Sequence, residues 1–534
     1  MLRRTAIVTA VALSLFASSA FAAKTLVFCS EGSPEGFNPM FYTTGTTQDA
    51  SSAQIFNRLV EFDVGTTNIA PSLAASWDIS KDGLTYTFKL RHGVKFQSTD
   101  KFKPTRDFNA DDVLFTWNRM ADPNHPFAKN TPGTTYAYFN DMGMDKIVDK
   151  VEKTDDYTVV FHLKHPEAPF LADLTMDFIS IHSAEYAAKM KAAGTPELVD
   201  RDPVGTGPFR LVSYQKDAII RYKANEQYFG GRPKIDNLIF AITPDSSVRV
   251  AKLKAGECQL MAYPKPADVA VLKTIPSINL LSKEGLNISY ISLNVTKKPF
   301  DNKLVRQAVN YAINKKALVD TVFQGAGQPA KNLIPPIMWA YDDKIKDYEY
   351  SPEKAKALLA KAGLKDGFEM DMWYIPIQRP YSPDGKRMGE MLQADLAKVG
   401  INVNLVTFEW GEYMKRAKEG EHLAGFFGWS GDNGDPDNFF SPLASCDAAN
   451  KGGGNYSRWC NKEFDDAIKK AAATSDQGQR KKLYAKAQEI MHEEAPMVFL
   501  AHSLRYEPVA KSVTGFKVAA VPPLHYFSKA DVTK

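Results

Sequence analysis

Apolar residues in this chain recur at two spacings, and the spacings sort it into strands and helices. After the hairpin signal Asp82-Gly83, the residues Leu84, Tyr86, Phe88 and Leu90 alternate with polar ones, as a half-buried strand requires. Tyr157, Val159, Phe161 and Leu163 repeat that alternation. Shorter apolar runs at Leu26-Val27-Phe28, Ile219-Ile220, Leu238-Ile239-Phe240 and Met497-Val498-Phe499-Leu500 read as buried strands. The last of these is placed to carry the chain back to its first domain.

Helical spacing appears elsewhere. Leu304, Ala308, Tyr311 and Ala312 lie on one face of a helix predicted over 301–322. Asn109 caps a helix with Asp111 and Asp112 in its first turn, where the helix dipole favours negative charge. Ser351-Pro352 opens another, and further helices are predicted over 246–255 and 477–494. Between residues 370 and 429 strands and helices alternate (370–375, 385–399, 403–408, 423–429). Such alternation predicts an α/β domain with a mostly parallel sheet. Residues up to about 200 read instead as a small α+β domain, with the turn-rich Pro203–Phe209 as a crossover.

The N-terminus follows a different rule. Arg3 and Arg4, the apolar run 6–16 and Ala20-Phe21-Ala22 form an export leader with a cleavage site, so the mature chain is expected to start at Ala23. Residues flanking Cys29 are too large for a lipidation site, and no later run has the roughly 18 uninterrupted apolar residues of a membrane helix. The predicted destination is outside the cytoplasm, in solution. About 500 mature residues exceed one core, which predicts two or three domains. Without Arg3 and Arg4 the formal charge of +4 falls to +2, and no basic run accompanies it, so a nucleic-acid partner is not indicated.

Four cysteines in an exported chain suggest two disulfides with three possible pairings. Cys446 and Cys460 enclose Gly452-Gly453-Gly454, a local loop whose closure is worth about 3 kcal/mol in the chain-entropy model. Cys29 and Cys258 would form the remaining pair; free buried thiols are the alternative. Cys-His metal spacing is lacking, so no metal site is expected.

Catalytic signatures fail one by one. Gly428-Trp429-Ser430-Gly431-Asp432 has Asp432 where a nucleophile elbow needs its last glycine, and Ser351-Pro352-Glu353-Lys354 lacks the companion motifs of penicillin-binding enzymes. His162 and His165 are an odd number apart on a predicted strand and should face opposite sides. His492-Glu493-Glu494 lacks a second histidine, and Gly325-Ala326-Gly327 lacks the lysine of a phosphate loop. An enzyme is not expected, and an exported hydrolase remains only as the rival class.

The most informative stretch is 428–440. The apolar run Leu423–Phe427 leads into a loop with Asp432, Asp435 and Asp437, flanked by Trp429, Phe439 and Phe440. A carboxylate held there in a half-dry aromatic pocket needs a cationic partner, which a ligand can supply. The hydroxyl-rich Thr43-Thr44-Gly45-Thr46-Thr47 is a second candidate cleft lining, although such loops are most often solvated turns.

Several of these stretches, taken together, resemble the large peptide-binding components of bacterial ABC importers, the family 5 peptide/nickel extracellular solute-binding proteins. They are Ser30–Pro39, Ser80–Phe88 with Leu90–Phe96, Gly205–Phe209, Val305-Arg306-Gln307-Ala308 and Gly428–Phe440. The match runs over essentially the whole mature chain. Gly431–Asp437 and Gln378-Arg379-Pro380-Tyr381 look particular to the dipeptide branch. The resemblance implies a periplasmic-binding-protein-like α/β fold: two lobes built from three domains, with a ligand cleft and a two-strand hinge. Domain I would comprise 23–55, 207–283 and 503–534, domain II 56–206 and domain III 284–502, after a signal peptide at 1–22. It implies disulfides Cys29–Cys258 and Cys446–Cys460. It places a dipeptide's ammonium on Asp432 and its carboxylate on Arg379, with further contacts at Thr43, Pro380, Tyr381, Trp429, Ser430 and Gly431. It implies a periplasmic monomer without a cofactor that delivers dipeptides to an inner-membrane ABC permease, with a chemoreceptor as a further candidate partner. Oligopeptides or haem are the alternative cargo.

The chemistry suits those residues. A dipeptide zwitterion has termini on the order of 6–7 Å apart when extended. An acid and a guanidinium fixed at that span would measure length, because a longer peptide leaves one buried charge unpaired. Arginine's planar fork matches a carboxylate's two oxygens. Side chains held by water and loose aromatic contact would be read weakly.

Overall fold

The computed structural model describes residues 23–129, 136–376, 378–408, 410–450, 452–519, 521 and 525–533. The expected leader at 1–22 lies outside the described residues. Apolar side chains separate into three large cores and a small satellite. One core draws on residues from Leu26 to Phe56, from Phe209 to Ala262 and from Val509 to Ala530. The satellite beside it holds Cys29, Cys258, Leu253 and Leu272. A second core lies entirely between Met40 and Val204. The third is built between Leu286 and Ala501, with Val521 joining from the C-terminal segment.

The second core packs on an antiparallel sheet in the order Ala74–Ile79, Thr85–Leu90, Thr158–Leu163 and Val148–Asp155. Tyr86, Phe88 and Leu90 point inward, as their alternation requires. Asn109 caps the helix Ala110–Ala121 by accepting from the Asp111 amide, and Asp112 closes the capping box. His162 sits on its strand against Glu152 at 2.9 Å, whereas His165 falls beyond the strand's end. Where this unit rejoins the rest, 205–207 crosses 54–56 at close range. A Cβ on Gly205 or Gly207 would stand 2.0 or 2.5 Å from the Ile55 carbonyl group, so that crossing admits only glycine.

The first and third cores share one twelve-stranded sheet. Its spine is the strand Met497–Ala510, longer than the apolar run that announces it. Through 504–510 it pairs antiparallel with Ile278–Glu284, and through 497–501 with Asn287–Leu293. The turn at Gly285-Leu286 and the middle of the long strand are therefore the two covalent passages between the lobes. The Gly285 amide bonds to the Ser503 carbonyl there at 3.1 Å.

In the third unit the sheet is mixed, which corrects the mostly parallel expectation. Phe368–Trp373 runs parallel to Ile401–Val406 and to Ala424–Ser430, but Ala424–Ser430 is antiparallel to Asn287–Leu293. The reason is topological: the chain enters this unit on one long strand and leaves beside it on another, and adjacent entry and exit strands must run in opposite directions. The helix expected over 301–322 is also broken. Lys303–Ala312 ends at Ile313, and Asn314 starts a new turn by accepting from the Ala317 amide while its own amide bonds Asp395 at 2.9 Å. Side-chain capping here outweighs the apolar period. The helices at Ser246–Ala255, Pro352–Lys361 and Gln477–Glu494 lie where they are predicted, the second behind its Ser351 cap.

Both cysteine pairs are disulfides, Cys29–Cys258 with Cα atoms 5.8 Å apart and Cys446–Cys460 with 4.6 Å. Among the described residues no helix is long and apolar enough to cross a membrane.

Candidate functional site

Two loops leave the sheet side by side. Trp373 pairs with Gly425, so the chain after Trp373 runs along the last residues of Ala424–Ser430. Loops beyond the carboxyl ends of adjacent parallel strands are where open α/β sheets bind ligands. The strand Ala424–Ser430 ends against Asn287, and the Gly431 amide donates to the Leu286 carbonyl at 2.7 Å, which puts this end of the sheet at the passage between lobes.

The first loop makes a tight turn. Arg379 and Ser382 exchange main-chain hydrogen bonds of 3.0 and 2.9 Å, leaving Pro380 exposed at the tip and turning the half-buried Tyr381 inward. The Tyr381 ring lies over Gly428, and Arg379 is close enough to act on its phenol. Burial pushes the Tyr381 phenol up, and Arg379 opposes that rise.

The second loop fixes Asp432. Asn438 accepts from the Asp432 amide at 2.9 Å and from Trp429 Nε1 at 3.2 Å, so one side chain sets the loop and the indole together. Ser430 is the half-buried last residue of the strand, and Gly431 packs against the Phe439 ring. From across the cleft the Tyr138 hydroxyl donates to Asp432 Oδ1 at 3.0 Å, and Gln48 lines the same cavity beside it. Gln48, Tyr138, Met176, Asp177, Asp432 and Val521 enclose a cavity of about 10 Å³. That is room for a water or ammonium-sized group. Burial pushes the Asp432 carboxyl up to about 7, with the Asp177 charge adding to the rise and Tyr138 opposing it. Asp177 is itself engaged by Arg58 at 3.2 Å and by Ser52. Asp432 is therefore the acid in this cavity whose charge still calls for a cation.

Thr43 is exposed just before the helix Gly45–Ala50. Its neighbours Thr44 and Thr46 donate to Glu35 and Glu31, each at 2.6 Å. From this segment it is Gln48 that reaches the cavity. Gln48, Tyr138 and Asp177 went unmarked in the sequence because they lie far from Asp432 along the chain and carry no local pattern. Among the described residues no cluster of His, Cys, Asp and Glu is arranged to hold a metal.

A family model described as "Bacterial extracellular solute-binding proteins, family 5 Middle" matches residues 68–451. The chain is 56% identical to the dipeptide-binding protein of Escherichia coli over 96% of its own length and 95% of that protein's. It is 52% identical to heme-binding protein A of Haemophilus influenzae, over 92% of this chain and 89% of that one. A solved dipeptide-binding protein from Pseudoalteromonas in complex with Met-Leu is 38% identical, with a TM-score of 0.84 over 96% of this chain and 100% of that structure.

Proposed function

The chain belongs to the bacterial extracellular solute-binding proteins of family 5, and we propose that it captures dipeptides and delivers them to an ABC importer. The observation that carries this reading is a half-buried Asp432, in a cavity of ammonium size, at the end of the strand over which Tyr381 lies with Arg379 beside its phenol. Asp432 takes the peptide's ammonium and Arg379 its carboxylate. Tyr381, Trp429, Ser430, Gly431 and Pro380 line the path between, and Thr43 stands at its rim. Tyr138 and Gln48 complete the ammonium end from the opposite lobe.

The separate cores support the domain assignment (23–55, 207–283 and 503–534 as domain I, 56–206 as domain II and 284–502 as domain III) except at Met40 and Phe41, which pack in the second core, and Val521, which packs in the third. Domain III closes on the others about Gly285-Leu286 and the middle of Met497–Ala510. Ligand contacts from both lobes stabilise the closed form, the form a permease at the membrane recognises. Export through the leader places the protein in the periplasm as a monomer that binds and releases its cargo unchanged. Docking to a chemoreceptor would use the same closed form.

Titration of the mature protein with di-, tri- and tetrapeptides, read by thermal shift and calorimetry, tests this reading, because a ligand that binds the folded state raises its stability by mass action. Dipeptides should give the largest shift. Equal shifts across lengths, a response only to haem, or turnover of the peptide would overturn it.

A further inference from the structure

Beyond Asp432 the same loop carries the seam between the lobes. Asn433 Nδ2 donates to Asp173 Oδ1 at 2.8 Å, and the Ala168 amide donates to the Ala472 carbonyl at 2.6 Å. Four carboxylates converge around these contacts. Glu167 and Asp173 come from the second unit, the latter from the turn Phe170–Asp173, while Asp435 and Asp437 come from the third. Facing them is the guanidinium of Arg480, on the helix Gln477–Glu494, and Asp435 takes both its terminal nitrogens at 2.7 Å. Arg480 Nε is bound to the Ala471 carbonyl at 3.0 Å. Asp437 accepts from Ser441 Oγ at 2.6 Å. The remaining titratable neighbours are Tyr86 and Tyr484, both pushed up by burial, and His165, a half-exposed side chain 3.7 Å from Glu167.

One guanidinium, already paired, cannot neutralise four carboxylates in a largely buried site. Burial, and next the charges of Asp437 and Asp435, push Glu167 up to about 8, and burial pushes Asp437 up to about 6. Asp173 also rises, first through burial and then through Glu167. Parting the lobes would return Glu167 and Asp173 to water and move them away from the other pair.

We propose that closing the lobes takes up protons at this seam, so that Glu167 and Asp173 make the closed, ligand-holding form more stable in acid than in base. The proposal rests on the closure described under Proposed function. A carboxyl whose affinity for protons is raised only in the closed form is protonated there at a pH where the open form has released its proton. The seam's contribution to closure is therefore complete below the open form's ordinary carboxylate range, near 4.5 for Glu167, and is lost as pH rises through about 8. Asp432 works in the opposite sense, because an ammonium ligand favours its ionised form. Comparing a seam variant with the parent protein at each pH cancels that effect.

The test is Glu167→Gln, which keeps the shape of the protonated acid, with Asp173→Asn as a second variant should the first lower Tm. Alanyl-alanine affinity is measured by calorimetry from pH 5.5 to 8.5, in two buffers of different ionisation heat. The expected result is an advantage for the variant that is smallest at pH 5.5 and grows by more than tenfold by pH 8, with less proton uptake on binding than the parent shows. Parallel pH profiles with equal proton uptake would overturn the proposal. If the parent binds no dipeptide at any pH, the dipeptide reading fails by itself, and small-angle scattering over the same range decides the seam. A parent that opens as pH rises while E167Q stays closed supports it; two unchanged radii of gyration sink it.

Discussion

Tyr381 and Gly428 touch so closely that a Cβ on Gly428 would meet three ring carbons of Tyr381 at 2.1–2.5 Å. The ring fills the space a side chain would need on the strand beside the ligand loop. Arg379 acts on the Tyr381 phenol, so the glycine keeps that ring and the arginine beside it in one place. Gly428→Ala should push the ring aside and weaken dipeptide binding by about tenfold or more, equivalent to about 1.4 kcal/mol. Calorimetry checks the affinity, and circular dichroism checks that the fold survives.

Each charge of the proposed clamp should matter separately. Asp432→Asn removes the anion that faces the cavity, and Arg379→Ala removes the fork. Either change is expected to weaken dipeptide binding by at least about tenfold with little effect on Tm, because a buried ligand charge would lose its partner. Near-parental affinity in either variant would rule out its assigned role.

His525 makes a prediction about stability and pH. It is buried between Asp49, which it bonds through both its ring and its amide, and Glu507 at 3.0 Å; Arg505 also bonds Glu507, at 2.6 Å. Burial lowers the imidazole's proton affinity, but the two carboxylates overcome it and raise the group to about 10. A histidine raised in the folded state stabilises fully below its unfolded value, near 6.5, and that contribution fades as pH climbs towards 10. His525→Gln should cost about 3–5 kcal/mol at pH 6, since it leaves two buried carboxylates facing one another. Urea unfolding of parent and variant from pH 6 to 10 should show the gap narrowing. A gap independent of pH would mean that the imidazole's charge is not what binds this corner.

The local disulfide should act on stability and leave recognition alone. Cys446 and Cys460 are separated by 14 positions. Replacing both with alanine should cost about 3 kcal/mol through the freed loop. Its measure is the denaturation midpoint, with dipeptide affinity expected within about twofold of the parent.

Much of the molecule was legible along the chain. Alternation at Tyr86, Phe88 and Leu90, the caps at Asn109 and Ser351, and the apolar run before Gly428 are local patterns, and local patterns follow from backbone geometry. The helix over 301–322 failed because Asn314 offers the backbone a competing hydrogen bond that an apolar period does not register.

By itself the sequence determined the element types, the cysteines available for bridging and the acid-rich loop after an apolar strand, because each rests on residues a few positions apart. Only the tertiary structure decided that Tyr138 donates to Asp432 across 294 residues, that Tyr381 lies over Gly428, and that Glu167 and Asp173 meet Asp435 and Asp437. Those relationships arise where separate cores are brought against one another, and no periodicity within a segment encodes what a distant segment will place opposite it.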